Sequence, residues 1–357
     1  MPLLRRPLPR RTTRAERDGD TERHAQLPHT HSPRRAVVVS TVHATSHYYW
    51  RFASRKDNMF RRNWTAATLG CLSFLAHAQG LPPGTTVSSA SLTGIAQFDT
   101  DLDAGGSMRW AGGIAAGSVL RQITPQFAAG LSLRYDFQQW TFDHPAAFGG
   151  VAPWRNVNQP QVGLTFIYAP TEDWTIVLSP SVAWAYESGA STGDAVEYGA
   201  VVIATRKFSP TLSLGLGAAV FRQLYETKTF PFLAIDWKIN DAWRLANPFP
   251  AGPTGGAGLE LTYGFAEDWE AGFGGTYRSF DFRLDQGGPV PGGIGENRYI
   301  PVFFRLSRNI GKQAQVDFYA AALANGRLKV KNQDGNDLAT DDYGTAPAAG
   351  ITLRYRF

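Results

Sequence analysis

The chain is nearly free of cysteine and, over most of its length, of histidine. Its single cysteine is Cys71, and six of its seven histidines precede residue 79, which leaves His144 alone in the remainder. A remainder without cysteine is compatible with an oxidising compartment. One histidine cannot build a histidine-cluster metal site, and it makes a histidine-based hydrolase a poor fit. We therefore expect no metal, no cofactor and no enzymatic activity.

Long apolar runs and helical periodicity are also missing. The mostly apolar residues 65–76 are too few to span a bilayer as a helix, which needs about 20. They follow Met59-Phe60-Arg61-Arg62 and precede Ala76-His77-Ala78. This order of basic, apolar and small-x-small residues predicts a secretory signal peptide over residues 59–78. Residues 1–58 would then be a mis-assigned start, with Met59 as initiator, or a disordered basic extension.

The positive charge of the chain is concentrated in this leader. Residues 1–78 hold 14 of the 35 Lys and Arg but only 5 of the 30 Asp and Glu. Residues 79–357 therefore carry 21 basic and 25 acidic side chains, a net charge of about −4. The high overall pI does not imply nucleic acid as a partner.

From Ser89 onward, segments of 9–16 residues alternate apolar with polar or small residues, the period of a β-strand. Residues 129–137 and 259–265 show this pattern clearly. The end of the chain repeats it, with Ile351, Leu353, Tyr355 and Phe357 on one face and Thr352, Arg354 and Arg356 on the other. A soluble β-sandwich would also alternate. Aromatic residues near the segment ends favour a membrane barrel, whose interfaces carry aromatic girdles.

The connections between these segments are of two kinds. Six are short turns, at residues 123–126, 170–173, 209–210, 240–241, 266–268 and 311–313. The others are mostly longer loops, at residues 99–106, 143–160, 188–194, 226–229, 248–256, 284–297 and 331–345. Six hairpins plus a first and a last strand predict a single-chain antiparallel transmembrane β-barrel of about fourteen strands. Twelve or sixteen strands remain possible, and both termini are expected on the periplasmic side.

The terminal spacing of Gly350, Leu353, Tyr355 and Phe357 resembles the C-terminal insertion signal of bacterial outer-membrane β-barrel proteins. Over residues 79–357 the chain resembles uncharacterised families of such barrels, known only as domains of unknown function. This resemblance implies the outer membrane as location, lipid contact, and the barrel-assembly machinery as partner of the last strand. Only about ten residues precede the first strand, near residues 89–98, so the N-terminal plug of long-chain fatty acid transporters is not expected.

The face opposite the apolar one supplies the candidates for the lumen. The acids are Asp136, Glu187, Glu197, Asp236, Glu260, Glu270 and Asp317, and the bases are Arg134, Lys238, Arg278, Arg305, Arg354 and Arg356. They could merely neutralise one another across neighbouring strands, or they could form charged rings along a conduction path. Their near balance argues against a strong preference for anions or cations.

These features leave three functions open. The first is a passive pore or small-solute channel with a mixed-charge lumen. The alternative is a plugged structural or adhesive barrel that acts through its extracellular loops. The third is a hydrolase at the rim, for which Asp143-His144 lies in a suitable loop but without a nucleophile motif. An occluded lumen would favour the second function over the first.

Overall fold

The computed structural model describes residues 81–248 and 258–357, so the predicted leader and signal peptide lie outside the described residues. Within these ranges no helix is long and apolar enough to cross a membrane. Two short 3-10 helices occupy Ala146–Phe148 and Thr192–Ala195. The strands are β1 Thr86–Asp101, β2 Ser107–Thr124, β3 Phe127–Asp143, β4 Asn156–Tyr168, β5 Trp174–Trp184, β6 Tyr186–Glu187, β7 Val196–Ser209, β8 Leu212–Gln223, β9 Glu226–Lys238, β10 Trp243–Ala246, β11 Gly258–Ala266, β12 Trp269–Thr276, β13 Arg278–Arg283, β14 Ile294–Ile310, β15 Ala314–Lys331, β16 Asp337–Tyr343 and β17 Ala346–Arg356.

These strands form one closed antiparallel barrel. The pairs β5/β6, β12/β13 and β16/β17 each continue one another, which gives fourteen barrel strands. The last strand closes the barrel on the first, with Ser89 opposite Arg356 and Gln97 opposite Ala348. The predicted fold class and the predicted count of fourteen are confirmed.

All six predicted short turns join neighbouring strands at the end of the barrel where β1 begins and β17 ends, here called the terminal end. At the opposite end, the loop end, five predicted loop boundaries are wrong. Residues 99–101 end β1, residues 156–160 begin β4, residues 226–229 belong to β9, residues 294–297 begin β14, and residues 331–345 contain β16. These strands continue past the apolar belt, so their side chains no longer alternate between lipid and lumen and the sequence pattern weakens.

The outward face of the barrel is apolar. Large side chains such as Leu131, Phe304 and Leu353 are 41–50% exposed to the surroundings. A soluble protein rarely exposes a continuous surface of this kind, whereas it is the lipid-facing band of a membrane barrel. Near the terminal end, the guanidinium of Arg206 lies over Trp174, 6.0 Å from the ring centroid. Such an aromatic belt beside a cation is typical of a membrane interface.

Four adjacent barrel strands are interrupted at one level towards the loop end. β12 gives way to β13 around Tyr277, and β14 shifts register between Arg298 and Ile300. In β15, Asn325 adopts a φ of 51°, and β16 ends just before Gly344. Bulges and left-handed residues bend strands locally, and asparagine tolerates that conformation better than most residues. The loop-end parts of these four strands, β13, residues 294–298, residues 326–331 and β16, are called the flap below.

The flap lies inside the barrel rather than in its wall. In a membrane barrel one face of each strand meets lipid, yet Asp281, Phe282 and Arg283 of β13 are consecutive and all buried. β13 pairs with β14 on one edge, and its other edge meets β6 of the far wall at a single parallel bridge between Arg283 and Tyr186. The flap therefore bends inward, and β13 crosses the lumen to β6, while Tyr343 of β16 remains bridged to Leu102 beside the end of β1.

The wall that the flap leaves is fastened by Asn247. β10 is short, and beyond it none of the described strands pairs with β9 on that side. The Asn247 amide donates to the carbonyl oxygens of Leu233 and Gly258, and its oxygen accepts from the Ile235 N–H, each at 2.9 Å. One side chain thus joins β9 to β11 where β10 ends.

Candidate functional site: an apolar core and a charged chamber in the lumen

The lumen is too wide for wall side chains to fill. Fourteen strands at 4.8 Å spacing and a tilt of about 40° enclose a radius of about 14 Å, whereas eight-stranded barrels are filled by their own side chains. At the loop end the flap divides this space. One face of the flap turns towards β1–β4 and the other towards β7–β9.

The face towards β1–β4 is packed in an apolar core. Its members come from both walls and from the loop between β3 and β4; they include Ile95, Met108, Trp110, Trp140, Trp154, Phe282, Tyr299, Leu323, Leu328 and Tyr343. Trp154 is only 1% exposed. Its ring lies 5.6 Å from Trp140 and 5.2 Å from Phe282. This part of the barrel is closed by hydrophobic packing, and the sequence did not indicate it.

Glu187 fastens this closure rather than lining a free path. Its two carboxylate oxygens accept from the backbone N–H groups of Arg155, at 2.8 Å, and Asp285, at 3.0 Å. These two residues lie in different loops, so one inward carboxylate holds both loops over the core. The Arg283 N–H also donates to the Ala185 carbonyl at 2.9 Å.

The opposite face of the flap is charged and, with β7–β9, forms what we call the charged chamber. Its ionisable side chains are Glu197 of β7, Glu226 and Lys228 of β9, Asp281 of β13, Glu296 of β14 and Lys331 of β15. The Lys228 Nζ lies 2.9 Å from Asp281 and 3.4 Å from Glu226. The Lys331 Nζ lies 2.5 Å from Glu296. Asp281 is fully buried and Glu197 nearly so.

A tyrosine closes the chamber at the loop end. Leu224 and Tyr225 form the two-residue turn between β8 and β9, and the Tyr225 hydroxyl contacts the Lys331 amine. The amine also lies 4.6 Å from the Tyr225 ring centroid. A side chain at Gly335 would overlap that ring, so the glycine allows the β15–β16 loop to approach. Burial raises the pKa of the Tyr225 phenol above its ordinary value, so it remains a neutral donor.

Five of the predicted lumen residues meet on the wall formed by β11, β12, β14, β15 and β17. Arg305 contacts Glu260 at 2.5 Å, Glu270 at 2.6 Å and Asp317 at 3.2 Å. Arg354 reaches the other Asp317 oxygen at 2.7 Å. These charges are on adjacent strands and satisfy one another. Three carboxylates thus share two guanidinium groups, so most of the charge on this wall is paired within the cluster.

The remaining predicted residues form smaller groups. Asp236 accepts two hydrogen bonds from Arg244, at 2.7 and 2.9 Å, whereas Lys238 pairs with Asp241 of the adjacent turn at 3.1 Å. Arg134 pairs with Asp136 at 3.3 Å, Arg278 lies beside the Tyr299 hydroxyl, and Arg356 is half-buried at the terminal end. Of the thirteen predicted side chains, only Glu197 lies in the charged chamber.

Sequence reasoning missed most of the chamber. Lys228, Glu296 and Lys331 fell within segments predicted as loops. One signal could have found the last of these: Leu328 and Val330 alternate with Lys329 and Lys331, which is a strand pattern with one apolar and one charged face. The pair Asp143–His144 is exposed, with 2.7 Å between Oδ1 and Nδ1, and no serine accompanies it in the described hydrogen bonds.

Comparisons with known proteins were made on sequence and on structure. No family model and no curated protein matches the chain. One similar structure is an outer membrane channel from Pseudomonas putida F1, with a TM-score of 0.42, 8% identity, and coverage of 78% of this chain and 98% of that chain. The P. putida toluene transporter TodX has a TM-score of 0.39 and 11% identity, with coverage of 81% of this chain and 92% of that chain. The translocator domain of the autotransporter NalP from Neisseria meningitidis has a TM-score of 0.33 and 10% identity, with coverage of 80% of this chain and 94% of that chain. Likeness this low carries no argument about function.

Proposed function

We propose that this protein is a passive outer-membrane channel for small polar solutes, with its path through the charged chamber. The loop end faces the outside of the cell and both termini face the periplasm. In the conformation described here, Tyr225 and Lys331 close the outer mouth. The observation that carries the proposal is the charged chamber itself, which lies beside an apolar core in the same half of the barrel.

The two faces of the flap differ: one is packed with apolar side chains and the other with charged ones, and this difference supports a channel. Burying a charge costs several kcal/mol unless its partners compensate, and apolar side chains of similar volume are often at least as stabilising. The face towards β1–β4 is filled with such side chains. If the side chains in the lumen served only to fill it, apolar side chains would be expected on the other face of the flap as well. Charged groups inside a membrane protein are typical of solute and ion pathways.

Export and insertion follow the terminal signals of the sequence. Residues 59–78 direct export, and the outward side chains of Leu353, Tyr355 and Phe357 present the insertion signal to the barrel-assembly machinery. Deleting Phe357 should reduce the amount of folded barrel in the outer membrane. Unchanged assembly after this deletion would contradict the role of the signal.

The channel is tested by conductance in planar bilayers. Tyr225→Ala removes the ring and the hydroxyl that meet Lys331, so open steps should become larger or more frequent than in the wild-type protein. Tyr198→Ala, which changes an outward tyrosine that is 56% exposed, is the matched control and should behave as the wild type. Absence of steps above the bare bilayer in the wild type and in Tyr225→Ala would contradict a channel.

The second candidate is the plugged structural or adhesive barrel. The apolar core around Trp154 favours it, because this core fills the other side of the lumen at the loop end. A barrel of this type would conduct in neither the wild type nor the Tyr225 variant. The same recordings therefore separate the two functions.

A further inference from the structure

Two carboxylates of the charged chamber have an oxygen without a hydrogen-bond donor. Glu197 is 5% exposed and Asp281 is fully buried, yet Glu197 Oε1 and Asp281 Oδ1 find no partner among the described residues. Buried carboxylate oxygens normally accept hydrogen bonds, and leaving one unpaired is costly. Two such oxygens in one chamber point to a ligand that brings positive charge or donors.

The two groups share Lys228 as a compensating cation. Lys228 lies 2.9 Å from Asp281, and both Lys228 and Asp281 are within electrostatic range of the Glu197 carboxylate. Lys228 also serves Glu226, at 3.4 Å. Lys331 is occupied by Glu296. Four carboxylates thus face two lysines.

The other cation on this face of the flap does not restore the balance. The Arg283 guanidinium donates to the backbone carbonyls of Asp194, at 3.1 Å, and Gly292, at 3.0 Å. It therefore holds loops in place, and the cations that act on Glu197 and Asp281 are Lys228 and, for Asp281, also Lys331. The whole lumen is near neutral in sequence, but this chamber has an excess of acceptors.

We propose that Glu197 and Asp281 bind a small monovalent cation, either an alkali ion or the ammonium group of a solute. This inference rests on the proposed channel and gives it a selectivity. A primary ammonium has three N–H donors, which suits carboxylate oxygens left without donors. The cation binds between β7 and the flap, below the Tyr225 closure.

Selectivity is measured as reversal potential in a KCl gradient, with Tyr225→Ala as background so that the path is open. In alkaline buffer, in which the buried Glu197 carboxyl is ionised, replacing Glu197 by Gln in this background keeps the side-chain shape and removes one charge. The K⁺ to Cl⁻ permeability ratio should fall about fivefold, the effect of one unit charge about 4 Å from the ion in a water-like medium. Glu172→Gln, in an exposed turn at the terminal end, is the control and should leave the ratio unchanged. The permeability of methylammonium relative to K⁺ distinguishes an ammonium site from an alkali site.

A second measurement does not need conduction. Methylammonium chloride should raise the thermal unfolding temperature of the purified barrel above that in tetramethylammonium chloride at equal ionic strength, because a ligand of the native state stabilises it. Glu197→Gln should abolish the difference. A conducting barrel whose selectivity is unchanged by Glu197→Gln overturns the cation site and leaves the channel in place. Absent conductance overturns the channel, and absent methylammonium stabilisation then overturns the site as well.

Discussion

Replacing Trp154 by alanine tests whether the lumen contains a true hydrophobic core. Trp154 is 1% exposed, and its ring contacts four others with centroid distances of 5.2–6.3 Å. Truncating a buried tryptophan to alanine costs about 3–5 kcal/mol. The indole N–H finds no hydrogen-bond partner among residues 81–248 and 258–357, so we attribute the loss to packing. We expect the free energy of unfolding to fall by that amount.

The assay is reversible urea unfolding of the barrel in lipid vesicles, followed by tryptophan fluorescence. Trp174→Ala is the matched control, because Trp174 lies on the outward face and is 41% exposed. This variant should lose clearly less stability than Trp154→Ala. Equal losses in the two variants, or a loss below about 1 kcal/mol for Trp154→Ala, would refute a packed core beneath the loops.

Three further predictions concern the wall and the flap. Arg305→Met should destabilise the barrel by about 3–5 kcal/mol in the same urea assay, because three carboxylates lose their shared cation; a loss below 1 kcal/mol would contradict the cluster. Asn247→Ala should cost about 1–3 kcal/mol, because three backbone groups lose a hydrogen-bond partner where β10 ends; unchanged unfolding would contradict that fastening. Tyr186→Cys with Arg283→Cys should form a disulfide on oxidation, because the two residues are paired in the structure. Pairing Arg283→Cys with Ala271→Cys in the β12 wall is the control, and equal cross-linking of the two pairs would contradict the crossing of β13.

The wall of the barrel can be predicted from the sequence, because contact with lipid restricts which side chains its strands can have. Every strand that crosses a bilayer must alternate lipid-facing apolar side chains with lumen-facing ones, and the aromatic belt marks where the strand leaves the bilayer. The pairing of the first and last strands follows from closure, and the contact between Arg354 and Asp317 follows from their shared inward face.

The flap follows no such rule. Phe280, Phe282 and Leu284 alternate like another outward face, but they pack into the apolar core that contains Trp154. Nothing in the local sequence distinguishes lipid from a protein core as an apolar partner. The bend depends on four interruptions at one level, including Tyr277 and Asn325. Their alignment is fixed by strand register, which a single sequence specifies only through long-range pairing. The charged chamber could not be predicted before the flap was placed.

The central claim is that solutes pass between β13 and β7–β9 while β13 stays fastened to the far wall. Single-channel conductance of the Tyr186→Cys, Arg283→Cys double variant tests this most directly, recorded before and after oxidation in the Tyr225→Ala background. The account predicts the same current in both states, because the disulfide fixes β13 without entering the chamber. Loss of current on oxidation and recovery on reduction would show that conduction requires the flap to leave the lumen, and would contradict the claim.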